Sequence, residues 1–110
     1  VKPVIIESPF AGDVERNLAY ARRALRDSLR RGEAPIASHL LYPQVLDEDK
    51  TDDRVLGIAA GFAWWPRADS IIFYTDLGWS PGMEAAYLRA SHMGFPTEER
   101  LIGKEPPDAH

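Results

Sequence analysis

A chain of 110 residues, 45% of them hydrophobic, is long enough for one core and short of two domains. Its 17 acidic against 13 basic residues give a net charge of -4, which argues against a broad electropositive surface for a nucleic-acid backbone but leaves room for a small anionic ligand in one local pocket. The absence of cysteine removes disulfides, thiol nucleophiles and thiolate metal sites together, and the longest apolar run, Gly57 to Trp65, is far below the roughly 20 residues of a membrane span.

With Val1 leading into a strand rather than a signal peptide, these features predict a soluble protein of a reducing cytoplasm. Val4-Ile5-Ile6 is too short and too uniformly apolar for a helix and predicts a strand buried on both faces. Glu7 to Gly12 then form a loop, where Pro9 restricts the backbone and Gly12 permits unusual dihedrals. Asp13 caps a helix over Val14 to Arg31, along which Leu18, Ala21, Leu25, Ser28 and Leu29 recur at helical spacing, and Gly32 ends it. The mid-helix arginines read as a solvated face. Arg16, in the first turn beside the Ser8 to Gly12 loop, is placed to meet an anion.

Ala34 to Ser38 predicts the second strand and completes a right-handed βαβ unit. His39 to Asp53 is a long polar loop leaving that strand's carboxyl end, a position where loops carry function. His39 falls at the same edge as Ser8 and Ser80, and two readings stay open: a histidine bonded into its loop, or a ligand contact. No second histidine stands at a metal-ligand spacing, so neither a metal nor another cofactor is expected. Thr51 or Asp52 caps a helix through Val55, Leu56, Ile58, Phe62 and Trp65 that is apolar almost all round. Such a helix needs burial on more than one side, by core packing or by self-association.

Pro66 closes that helix and Ser70 to Thr75 form a third strand, which delivers Tyr74, Asp76 and the Ser80 to Glu84 turn. Ser80 and Pro81 are explained by capping alone, but Gly82 inside a first helical turn costs roughly 1 kcal/mol relative to alanine, which suggests close approach of a ligand or backbone. The helix runs through Met83, Ala86 and Ala90 to Gly94, and Arg100-Leu101-Ile102 predict a short edge strand. Residues 1–103 are expected to form one domain and 104–110, with two adjacent prolines, a flexible tail.

Ser8-Pro9-Phe10-Ala11-Gly12, Asn17, Pro35 to Tyr42, Asp69 and Asp76-Leu77-Gly78-Trp79-Ser80-Pro81-Gly82-Met83 occur in an order and spacing that resembles the nucleoside deoxyribosyltransferase superfamily, in particular a small phage-associated branch. The resemblance implies a flavodoxin-like or Rossmann-like three-layer α/β/α domain with a mainly parallel sheet of four to five strands in the order 2-1-3-4, usually in a homo-oligomer. It implies a nucleoside or nucleotide ligand whose N-glycosidic bond is cleaved or exchanged through a carboxylate nucleophile and a second carboxyl group. It also places a phosphate at the Ser80 to Met83 turn. The expected ligand-binding residues are Ser8, Pro9, Phe10, Gly12, Arg16, His39, Ser80, Gly82 and Met83.

Catalytic features of such relatives are missing here. Ala86 stands one helical turn beyond Gly82, where their nucleophilic glutamate is expected, and Gly57 to Trp65 hold no second acid. Phe10 replaces a frequent tyrosine. Glu84 and Asp76 are the candidate catalytic carboxylates, with Glu7 a further acid nearby. The alternative is a non-catalytic nucleotide-binding or oligomeric accessory protein.

Overall fold

The two branched apolar runs become the centre of a sheet covered on both faces. In the computed structural model, which describes residues 1–103, the elements follow as β1 (Lys2–Glu7), α1 (Val14–Arg30), β2 (Glu33–Ile36), α2 (Thr51–Ala63), β3 (Ser70–Tyr74), α3 (Pro81–Met93) and β4 (Thr97–Arg100). Short 3-10 turns occupy Ser38–Leu40, Tyr42–Gln44 and Trp65–Arg67. All strand pairs are parallel, in the expected order β2-β1-β3-β4. The tail predicted at 104–110 lies outside the described residues.

Side-chain alternation along the strands separates two cores. Val4 and Ile6 of β1, with Ile72 and Tyr74 of β3, pack beneath Tyr20 and Ala24 of α1. Ile5, Ile71 and Phe73 point the other way, toward Met83, Ala86 and Ala90 of α3, Phe62 of α2 and the buried Trp65. Because α1 covers one face and α2 and α3 the other, the chain reverses direction across the sheet between β1 and β3. A crevice opens at such a switch point, outside the carboxyl ends of the strands.

Local chemistry sets the helix ends. The Asp13 side chain accepts the Arg16 N–H at 3.1 Å, and Ser80 Oγ accepts the Met83 N–H at 3.1 Å. Thr51 and Asp52 do not cap α2; Lys50 precedes it without a side-chain cap. Trp65, expected within that helix, lies in the following 3-10 turn and is buried against Phe62 and Phe95.

The outer strands shift from their expected places for polar reasons. β2 starts one residue early, at Glu33, whose carboxylate takes two hydrogen bonds from the Arg100 guanidinium (2.8 and 3.0 Å) and one from Ser28 Oγ (2.7 Å). It ends at Ile36, and Ser38 turns into a 3-10 segment. β4 is Thr97–Arg100 rather than 100–102; its Thr-Glu-Glu-Arg sequence is polar because it borders the sheet. Arg100 turns inward, and its NH1 also donates to the Tyr74 hydroxyl at 3.0 Å.

The apolar helix α2 has no buried residue: Val55, Leu56 and Ile58 are 61%, 59% and 54% exposed. Within one chain, the expected burial on more than one side does not occur. α2 instead sits on the preceding segment through glycines. A Cβ on Gly57 would come within 3.2 Å of Leu46 Cδ1, and one on Gly61 within 3.3 Å of Ser38 Cβ. No helix among the described residues is long and apolar enough to cross a membrane.

Candidate functional site

Two strand ends and one helix start converge on a cavity of about 660 Å³. The carboxyl end of β1 contributes Glu7, Ser8, Phe10 and Gly12; the segment after β2 contributes His39; the start of α3 contributes Ser80, Gly82 and Met83. Glu48 and Arg54 stand at the α2 side. The N-terminus of α3 brings the Gly82 N–H and partial positive charge to this wall; Pro81 has no donor, and the Met83 and Glu84 N–H groups are taken by Ser80. Gly82 has ordinary helical backbone, and a Cβ there would meet only Ser80 Oγ, at 3.9 Å. Its missing side chain therefore leaves space rather than relieving strain.

Behind this mouth, sharing Glu7, Ile58 and Gly82 with it, lies a smaller chamber of about 270 Å³. Ile5, Ile36, Phe62, Trp65 and Ala86 make it apolar. A mouth that carries Ser8, His39, Glu48, Arg54 and Ser80 among apolar walls, opening on a more uniformly apolar chamber, suits a ligand having a charged or hydroxylated end and a flat hydrophobic one.

Two groups in the mouth are chemically unsettled. Ser8 Oγ is buried with no hydrogen-bond partner among the described residues, a state that costs free energy unless a ligand or water supplies one. Glu7 keeps a sliver of surface on the cavity, yet protein atoms crowd its carboxyl closely enough to strip its water, and this desolvation pushes it up from 4.5 to about 7. Among the described residues no ion pair opposes the shift. Burial also holds the His39 imidazole below its ordinary value, partly offset by a hydrogen bond with the Ser8 backbone. The ring packs against Phe10 with centroids 5.0 Å apart and planes tilted by 31°, so His39 is both bonded into its loop and part of the cavity wall.

Of the residues expected from sequence, Ser8, Phe10, Gly12, His39, Ser80, Gly82 and Met83 are brought together. Pro9 is buried behind the loop and Arg16 points into solvent, and neither lines the cavity. The two candidate catalytic carboxylates do not reach it. Asp76 accepts hydrogen bonds from the Tyr20 hydroxyl (2.5 Å) and from the Ile102 and Gly103 N–H groups (both 2.9 Å). Desolvation pulls its carboxyl upward, but these bonds outweigh it and hold the group below the usual range. Asp76 is a clasp between α1, β3 and the chain after β4. Glu84, two residues and roughly 200° round the helix from Gly82, lines a different cleft with Trp79, Tyr87 and Glu98 on the β4 side. Ala86, at the turn beyond Gly82, does face the chamber.

Arg54 was not singled out by sequence, since it lies amid a charged helix start with no motif around it. Glu7 had a readable signal. It shares a strand face with Ile5, where the alternation calls for an apolar residue. Among the described residues, no group of three or more His, Asp or Glu side chains is arranged to hold a metal ion.

Sheet order and switch-point crevice together define a flavodoxin-like α/β domain with a cavity at the carboxyl ends of its strands. Over residues 2–100 the sequence matches the family described as Domain of unknown function (DUF7768), and the chain belongs to that family. Among solved structures, a 2-deoxyribosyltransferase from the psychrotolerant bacterium Bacillus psychrosaccharolyticus superposes with a TM-score of 0.62 at 17% identity, covering 96% of this chain and 77% of that one. At this identity the likeness establishes the shared fold. No curated protein matches the sequence.

Proposed function

We propose that the cavity binds a nucleoside or nucleotide, and that its chemistry is cleavage or transfer of the N-glycosidic bond. The observation that carries this reading is the junction of mouth and chamber. Arg54, the unpartnered Ser8 hydroxyl and the α3 N-terminus offer charge and hydrogen bonds to a sugar or phosphate, while Phe62, Trp65 and Ile36 offer a dry slot for a base. The fold shared with a 2-deoxyribosyltransferase supports the same choice of ligand. The exposed apolar face of α2 supports assembly into a homo-oligomer.

A second reading, nucleotide binding without glycosidic chemistry, is favoured by the positions of Asp76 and Glu84 outside the cavity. Calorimetry with the four 2′-deoxynucleosides and their 5′-monophosphates, together with chromatography for released base, separates the two. Binding with base release supports the first reading and binding without release the second; no binding to any member refutes both. Arg54→Ala is expected to weaken monophosphate binding about tenfold and leave the nucleosides unchanged, since an ionic hydrogen bond contributes about 1.5 kcal/mol or more.

A further inference from the structure

Glu7 is an anomaly in a strand whose every other buried position is apolar. It ends β1, paired with Phe73 of β3 and on the same face as Ile5, so its carboxyl projects toward the α2–α3 side, where mouth and chamber meet. Among the described residues nothing in the fold uses it. It has neither the ion pair that accounts for Glu33 nor the hydrogen bonds that account for Asp76. A half-buried carboxyl whose protein surroundings strip its water without supplying a partner among the described residues is a cost to folding, and its placement at the junction assigns it to whatever occupies the cavity.

We propose that Glu7 is the acid–base residue of this pocket, donating a proton to a ring nitrogen of a heterocyclic base seated in the apolar chamber. The inference rests on the nucleoside reading above. Burial keeps the carboxyl protonated up to about pH 7, so it presents an O–H donor beside a carbonyl acceptor rather than a naked charge. As the bond between the anomeric carbon and the base breaks, its electron pair passes to the base, and the Glu7 proton goes to the ring nitrogen. A water molecule adds to the anomeric carbon and gives its proton back to the Glu7 carboxylate, which restores the acid. Reactants and products then differ by one water: nucleoside plus water becomes free sugar plus free base. The group would serve as acid in the first half and base in the second, from a strand end rather than from a helix.

The test compares wild-type protein with Glu7→Gln, which keeps the shape and the neutral donor but cannot transfer a proton. The probes are the four 2′-deoxynucleosides and their 5′-monophosphates, each followed by calorimetry and by base release from pH 5.5 to 8.5. Wild-type release should fall about tenfold per pH unit above neutrality, whereas Glu7→Gln should bind within a few-fold of wild type and release base at least about 100-fold more slowly. Binding by the wild type without base release overturns the role of Glu7, as does release that survives the substitution or ignores pH; both leave the nucleoside pocket standing. Absence of binding to every probe overturns the pocket reading and this inference together.

Discussion

Replacing Glu7 with glutamine should change how stability depends on pH, whatever the ligand. In the unfolded chain the carboxyl ionises near 4.5, and in the native protein it holds its proton up to about 7. Between those values unfolding releases a proton, so wild-type stability declines as pH rises. The contribution is complete below 4.5 and gone above about 7. At 1.36 kcal/mol per unit, the interval amounts to at most about 3 kcal/mol, or on the order of 10 °C in Tm for a domain of this size. Urea denaturation of wild type and Glu7→Gln from pH 4.5 to 8.5 isolates it. Other titrating groups are common to both proteins, and any fixed penalty for the buried amide is a constant offset. The wild type should lose ground to the variant up to about pH 7 and run parallel to it beyond. Parallel profiles across the whole range would refute the claim that desolvation governs Glu7.

Three further substitutions separate architecture from function. Asp76→Ala removes the acceptor for Tyr20, Ile102 and Gly103, and is expected to cost about 1–3 kcal/mol in urea denaturation while leaving nucleotide affinity unchanged. Lost affinity at full stability would return Asp76 to the site. Gly82→Leu should fold, since its first side-chain atom meets only Ser80 Oγ at 3.9 Å, yet abolish binding measured by calorimetry because the rest of the side chain enters the cavity. Arg100→Met strands the mostly buried Glu33 carboxylate and should cost about 3–5 kcal/mol, with much of it recovered in a Glu33→Gln/Arg100→Met double variant. Arg100 holds the Glu33 carboxyl below its ordinary value, so this pair's contribution is present above pH 4.5 and fades as pH falls through the lowered value; acid titration of wild type against the double variant measures it.

Elements whose identity is written locally were legible from sequence. Branched apolar runs marked β1 and β3, Asp13 and Ser80 marked helix starts, and the order of the strands followed from the resemblance. Elements defined by distant partners were not. Glu33 reads as loop until Arg100 lies across from it, and Thr97 to Arg100 carry no apolar pattern because their strand is held by backbone pairing to β3 and by one inward guanidinium. The same limit applied to the site. Backbone-shaped features such as the Ser80 to Met83 turn and the Ser8 to Gly12 loop were found from their glycines and prolines. The directions of the carboxylates were not legible, because proximity in sequence to that turn says nothing about which way a side chain faces. Asp76 lies beside the turn but is occupied by the chain after β4, while Glu7, on another strand, faces the cavity.

The way α2 is seated has a consequence for motion. A helix that rests on glycine contacts and keeps every residue at least partly exposed forfeits little apolar burial when it lifts away, so it can open at the cost of the Phe62 contact with Trp65 while the buried residues of both cores stay packed. Its residues Arg54, Ile58 and Phe62 are also walls of the mouth and chamber. Amide exchange along α2 should therefore report opening of the cavity rather than unfolding of the domain, and a molecule filling that cavity would act as the missing half of the helix's hydrophobic contact.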